Sequence, residues 1–527
     1  MLDRLTGKSV HLYIHLFSCA LIAAGLPASK IPLSIGTMLG LLNLLLQADF
    51  RVYAARLKAN RLAWGLWIYL GIQLLSLCWT SDWDYASHDL RVKLPLFIIP
   101  LFMICRPITE RRHYLLMGGL FTASLFVTSF INMGAYQHWW GSKVYDDIRG
   151  MSLFGSHIRY SLMIVMGIVL CIEWMRRKLP YRWVACILIA WFACYANYSQ
   201  ILSGYLALGV VGLVSLILLL MKIRKTGIRL AIFGAAAIFT VCFTAYVLDC
   251  LKPVPHKVSM KNLPHWTERG NWYRHDTVNQ IWENGYPVVA FINEEELGTA
   301  WNKVSELDYY KGVDAKKQPL FFTLWVYMTS RGFHKDSVGF LSMTKTDISN
   351  VEKGYTSINL TKGALYARLS SIRHQLEHPE NPNGHSLLQR LEYWKAGAHI
   401  IRGHWLAGVG YGDIQQAFNS YYAASGTLLK KELQLRSHNQ YMTSWIAAGI
   451  AGLLSFLLWW LGFLSRSWKT KNYAAICFAA IALSSFLIED TIETQMGVTF
   501  IAFFYALFVS TPPESQRKET PQLTANI

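Results

Sequence analysis

Six consecutive residues, Arg436-Ser437-His438-Asn439-Gln440-Tyr441, close a long polar segment and lead into an apolar run from Met442 to Leu461. A guanidinium, an imidazole and a carboxamide therefore meet at the edge of a stretch able to enter a bilayer. Histidine is the side chain whose ordinary pKa lies nearest neutrality, so His438 can accept a proton from a hydroxyl there. It can equally cap the helix or anchor it at headgroup level. Arginine pairs bidentately with phosphate oxygens and stays charged when partly desolvated. Arg159, Arg390 and Arg436 suit an anionic headgroup such as a diphosphate, or a structural ion pair. Arg91, Lys93 and Arg149 are cations of the same region, Lys93 reading as a snorkelling side chain. Glu489, Asp490 and Glu493 put three acids within five residues. They could orient His438, bind sugar hydroxyls or form a solvated turn.

The elements that must position these groups are apolar. Of 527 residues, 53% are hydrophobic and only 16% charged, against about 25% in a soluble domain. The expected fold is an all-α polytopic membrane protein with a large α+β insert. Runs long enough to cross a bilayer fall near 10–27, 31–47, 62–79, 92–105, 114–133, 159–174, 181–197, 201–221, 229–248, 442–463, 473–488 and 495–511, about twelve spans. Pro95 and Pro100 predict a kink or tilt in the fourth.

The net charge of +18 is explained by topology. With the N-terminus inside, the inner loops collect Arg51, Arg56, Lys58 and Arg61, then Arg106, Arg111 and Arg112, then Arg176, Arg177, Lys178 and Arg182, and so on to Lys469 and Lys471. The outer loops carry Asp82, Asp84, Asp89, Asp146, Asp147, Glu489, Asp490 and Glu493. This is positive-inside alternation, with no zinc-finger spacing and no basic stripe to suggest nucleic acid. Nine cysteines lie in apolar stretches or at a span edge, which excludes a disulfide framework and a Cys-based metal site. Gly408-Val409-Gly410-Tyr411-Gly412 lacks a preceding strand and the Lys-Ser/Thr of a phosphate loop, so a bend between helices accounts for it. No metal or cofactor is expected.

The organisation read from these patterns is spans 1–9 in residues 1–248, an outer insert in 249–384, a helical segment in 385–441 and spans 10–12 in 442–511. A cytoplasmic tail follows in 512–527. In the helical segment Ser386 could cap a helix reading Leu387, Leu388, Leu391, Trp394, Ala398 and Ile401. Asp413 could cap a second helix through Tyr422. Ionisable groups are nearly absent from span centres, which argues against an ion-coupled transporter.

Several motifs in this order resemble the O-antigen ligase family, whose domain is shared with O-antigen polymerases and protein O-oligosaccharyltransferases. They are Arg390…Trp394, Gly408-Val409-Gly410, His438-Asn439-x-Tyr441 and Gly449-x-x-Gly452, set beside a large outer loop before the tenth span. A branch with an enlarged periplasmic loop is resembled by Leu153-Phe154 with His157-Ile158-Arg159, by Glu294-Glu295-Glu296-Leu297 with Trp301-Asn302, by Thr329 to Asp336, and by Glu489 to Gln495. Where many members carry Ser-Arg before the eighth span, Ser199-Gln200 stands here. The resemblance implies a GT-C-like, metal-independent, inverting glycosyltransferase at the periplasmic face of the bacterial inner membrane, with both termini cytoplasmic. Its donor would be a polyprenyl-diphosphate-linked glycan and its acceptor lipid A–core, with membrane lipids as further partners. His438 would be the general base. Arg159, Arg390 and Arg436 would hold the diphosphate, with Asn439, His157, Glu489 and Glu493 in support. The alternatives are a repeat-unit polymerase, a protein O-oligosaccharyltransferase and, outside the enzymes, a lipid-linked glycan transporter.

Overall fold

A computed structural model describes residues 7–140, 145, 148–279, 281–379 and 381–510. The expected tail 512–527, Asp146 and Asp147 lie outside the described residues. The first half is a run of helices: α1 (Gly7–Gly25), α2 (Lys30–Gln47), α3 (Phe50–Ala59), α4 (Arg61–Leu75), α5 (Trp83–Cys105), α6 (Arg111–Tyr136), α7 (His157–Arg176), α8 (Arg182–Ser199), α9 (Leu202–Lys222) and α10 (Thr226–Leu251). Three more helices, α18 (Gln440–Lys469), α19 (Tyr473–Ile488) and α20 (Gln495–Ser510), close the bundle. The apolar runs fall on these helices, and among the described residues seven helices are long and apolar enough to cross a membrane. The chain is a multi-pass membrane protein.

The bundle packs α5 against α20, α4 against α18 and α19 against α7 and α9. Its core is aromatic, with Phe102, Phe121, Trp459, Trp460, Phe478, Phe504 and Tyr505 buried together. α10 stands apart. It packs on α9 and α15 (Ala364–Glu377), while Phe233, Ile238, Phe239 and Val241 stay exposed. A helix apolar all round is stable where lipid covers it.

Between α10 and α18 the chain forms α11 (Glu294–Trp301), α12 (Leu320–Ser330), α13 (Ser337–Leu341), α14 (Lys345–Glu352), α15, α16 (Ser386–His404) and α17 (Ile414–Ser425). Trp301, Tyr309, Leu324, Tyr327, Met328 and Phe340 make a second core. The strand content is smaller than an α+β insert implies. β1 (Trp282–Glu283) and β2 (Tyr286–Pro287) form one antiparallel pair, and Ile292 adds single bridges to Arg274 and Lys335. Polar side chains hold the rest. Glu296 accepts from Thr267 Oγ1 at 2.7 Å, Asn271 Nδ2 at 2.6 Å and Ser337 Oγ at 2.6 Å, which ties the 267–271 turn to α11 and α13.

Two differences from the sequence reading shape the site. α5 begins at Trp83 and not near residue 92, because Asp82 caps it, accepting from Tyr85 N at 2.9 Å. Asp89 and Lys93 therefore share one helical turn. α18 is not one continuous helix either. It breaks at Ala448 and Gly449, where Gly449 takes φ +64°. The 405–410 segment fills the break: Val409 N donates to Ile446 O at 2.8 Å, Gly410 N to Ala447 O at 3.2 Å, and Ile450 N to Trp405 O at 2.9 Å. A Cβ on Gly449 would stand 1.9 Å from Leu406 O, so the approach of the two backbones requires glycine. Asp413 stands at the N-cap of α17 as expected, but its side chain makes no capping bond. Its carboxylate accepts from Ser81 N and Asp82 N, each at 2.8 Å, and so ties the same loop to the start of α5.

Candidate active site

His438 sits in a tight turn between the polar segment and α18. Asn439 caps α18, its Oδ1 accepting from Met442 N at 3.1 Å while its Nδ2 donates to Leu487 O at 3.1 Å. Ser437 Oγ lies 2.8 Å from Thr443 Oγ1, which donates to Asp490 Oδ1 at 2.8 Å. Between these ties His438 adopts a left-handed backbone, φ +46°. Non-glycine residues rarely sit there, and such conformations persist when the surroundings over-determine them. The Tyr393 ring, 5.4 Å away centre to centre, walls the imidazole.

The turn aims His438 at Glu489, the first residue after α19. The carboxylate is a hub: His438 Nδ1 lies 3.1 Å from Oε1, Arg159 Nη2 3.1 Å from Oε1 and Arg390 Nη2 3.6 Å from Oε2. Arg159 comes from the first turn of α7 and also donates to Ser156 Oγ at 3.0 Å. Arg390 comes from α16, where Nε donates to Ile488 O at 3.0 Å. Burial alone would raise the Glu489 carboxyl. The hydrogen bond from His438, with His438, Arg159 and Arg390 close by, outweighs burial and holds it at about 2. An ionised carboxylate only accepts, so His438 must donate through Nδ1–H. Its Nε2 is then the lone pair able to take a proton, the arrangement by which a carboxylate orients a catalytic imidazole.

A second acid gathers a second set. Glu493, four residues on, lies 2.8 Å from Lys93 Nζ through Oε1 and 3.6 Å from Arg436 Nη1 through Oε2. Lys93 also pairs with Asp89 at 3.1 Å. Gln440 Nε2 donates to Glu493 Oε1 at 2.9 Å. Burial, then Asp89, push the Glu493 carboxyl above the usual carboxylate range, while Lys93 and Arg436 pull against them.

Of the residues expected at the site, His438, Arg159, Arg390 and Glu489 meet directly. Arg436 turns instead to Glu493 and lies over the Tyr85 ring. His157 opens α7 two residues before Arg159, half-buried. The three acids do not form a solvated turn, for Glu489, Asp490 and Glu493 are all buried. Nor does Lys93 snorkel, being only 7% exposed. Sequence reasoning missed Lys93, Asp89 and Gln440 as members of the site. The available signal was the i, i+4 spacing of Asp89 and Lys93, hidden when the fourth run was started at residue 92.

The family model described as O-antigen ligase matches residues 357–457. Over these residues the chain is similar to the O-antigen ligase family. The match runs from the 3₁₀ turn before α15 through α16 and α17 and past the break in α18, so the matched stretch includes Arg390, Arg436, His438 and Asn439. Arg159, Glu489 and Glu493 complete the cluster from helices outside it. A comparison of the chain with curated proteins gives no match.

Proposed function

We propose that this protein transfers a glycan from a polyprenyl diphosphate to a sugar hydroxyl of lipid A–core, at the periplasmic face of the inner membrane. The observation that carries the reading is the meeting of His438, Arg159 and Arg390 at the Glu489 carboxylate. A glycosyl diphosphate is already activated, so neither nucleotide nor metal is required. His438 Nε2 removes the acceptor hydroxyl proton as that oxygen bonds to the anomeric carbon. The carbon–oxygen bond to the diphosphate breaks on the opposite face, inverting the centre. The leaving diphosphate keeps the bonding electron pair, and Arg159 and Arg390 stabilise the charge it gains. Arg436 stands behind them as a further cation. The insert of 249–384 belongs to an enlarged-loop branch in this reading, and residues 385–441 carry the reacting groups on the same side.

His438→Ala tests the chemistry. Transfer is expected to fall about 10²–10⁴-fold, the usual worth of positioned proton transfer, with donor binding retained. A folded variant that transfers at the wild-type rate would reduce His438 to an anchor. EDTA is expected to leave the wild-type rate intact. The polymerase alternative uses the same donor and differs only in acceptor, so glycan analysis of a deletion strain separates the two. Full-length polymer stranded on the lipid carrier identifies a ligase; single units on lipid A–core identify a polymerase.

A further inference from the structure

Glu493 holds the His438 turn from both sides. Arg436, two residues before the histidine, faces Glu493 Oε2 at 3.6 Å; Gln440, two residues after it, donates to Oε1 at 2.9 Å. Gln440 Oε1 also accepts from Ile492 N at 3.2 Å, so both ends of its amide are locked to the 3₁₀ turn that carries Glu493. Between these two attachments the backbone makes its left-handed step at His438. Histidine enters that region more readily than most side chains but seldom does so, and the two attachments hold it there.

What fixes Glu493 comes from another helix. Lys93 Nζ, reaching across from α5, lies 2.8 Å from Glu493 Oε1 and 3.1 Å from Asp89 Oδ2. It sits 4.5 Å over the Tyr411 ring, in the loop that fills the break of α18. Lys93 thus joins α5, the Glu493 turn and the 405–413 loop. It is also the cation that separates two buried acids, Asp89 and Glu493, which would otherwise face each other.

We infer that Lys93 is a positioning residue for His438. Through Glu493 it fixes Arg436 and Gln440, and so the aim of the imidazole at Glu489. It touches none of the reacting groups itself. The catalytic consequence rests on the reading of His438 as the base, but the aim of the ring can be measured without any assay of transfer.

The measurement is the rate at which diethyl pyrocarbonate modifies each histidine in the full-length protein in nanodiscs, read by mass spectrometry. Lys93→Met is expected to raise the His438 rate several-fold, with His399 and His404 on α16 unchanged as internal references. Lys93→Arg, which keeps a cation beside Glu493, is expected to return His438 close to the wild-type rate. Should every histidine react faster in Lys93→Met, the fold has failed. The double variant Lys93→Met/Asp89→Asn, which leaves one buried acid and not two, then decides. A wild-type His438 rate in a folded variant lacking the lysine overturns the inference. In transfer assays Lys93→Met and the double variant are expected to lose kcat by about 10²-fold, the effect of a small misplacement, with donor KM near wild type, and Lys93→Arg to stay near the wild-type kcat. If wild-type protein transfers no glycan, the proposed function falls and the modification rates alone decide the role of Lys93.

Discussion

Glu489 does two things with one carboxylate. It accepts from the imidazole that must be aimed, and it balances the two guanidinium groups that must wait for an anion. Its depressed pKa makes this a statement about stability. The ionised form is favoured in the folded protein, so the contribution is fully present above the ordinary carboxylate pKa. It is lost as pH falls from about 4.5 through about 2. The full effect is on the order of 3 kcal/mol. Thermal unfolding in detergent is expected to show a midpoint that drops between pH 5 and 3, and Glu489→Gln is expected to flatten part of that slope. At neutral pH the same variant is expected to lose transfer activity, since glutamine neither fixes the Nδ1–H tautomer nor balances Arg159 and Arg390. An unchanged slope and unchanged activity would remove Glu489 from the site. Asn439, read in sequence as a supporting residue, has both ends of its amide engaged in holding α18 to α19.

At the scale of elements, the break in α18 does the positioning. The bonds that α18 lacks at Ala448 and Gly449 are replaced by the 405–410 segment, which fixes α16 and the Arg390 it carries against the helix that starts at His438. Gly449→Ala is expected to cost at least about 2 kcal/mol, from a positive φ together with a collision against backbone. Lower thermal midpoint and lower activity would appear together. A variant of normal stability would mean the loop can move away freely. In the insert, Lys335 is buried, with Nζ donating to Pro287 O at 3.0 Å and Thr329 Oγ1 at 3.1 Å. Burial pulls its ammonium down to about 7, against Asp336. The unfolded chain then binds more protons than the folded one between about pH 7 and 10.5, so stability rises with pH in that window. Limited proteolysis of the insert is expected to slow from pH 7 to pH 9 in wild type. Lys335→Met is expected to lose that dependence, and a variant that keeps it would assign the dependence to another group.

Across the whole molecule, the charge alternation of the loops is the basis for proposing that 249–441 lies on the outer side with both termini inside. Reporter fusions after Leu46 and after Leu251 are expected to report opposite sides; matching signals would break the twelve-span arrangement. What the sequence determined by itself is what depends on local pattern. The apolar runs were legible because a bilayer sets their length, and each falls on a helix. His438 and Arg159 stood out because titratable and charged side chains at the edge of apolar runs are unusual, and the glycine bend at 408–412 because that spacing suits nothing else. The tertiary structure alone decided which charge pairs with which. Glu489 and Glu493 are four residues apart and chemically alike, yet one gathers Arg159, Arg390 and His438 while the other takes Arg436 and Lys93. No local pattern distinguishes them, because their partners come from α5, α7, α16 and the α18 turn, hundreds of residues apart in places. Burial was equally out of reach. Lys93 and Asp89 read as surface charges until α20 and the 405–413 loop pack over them, and only that packing makes the lysine of α5 part of the site.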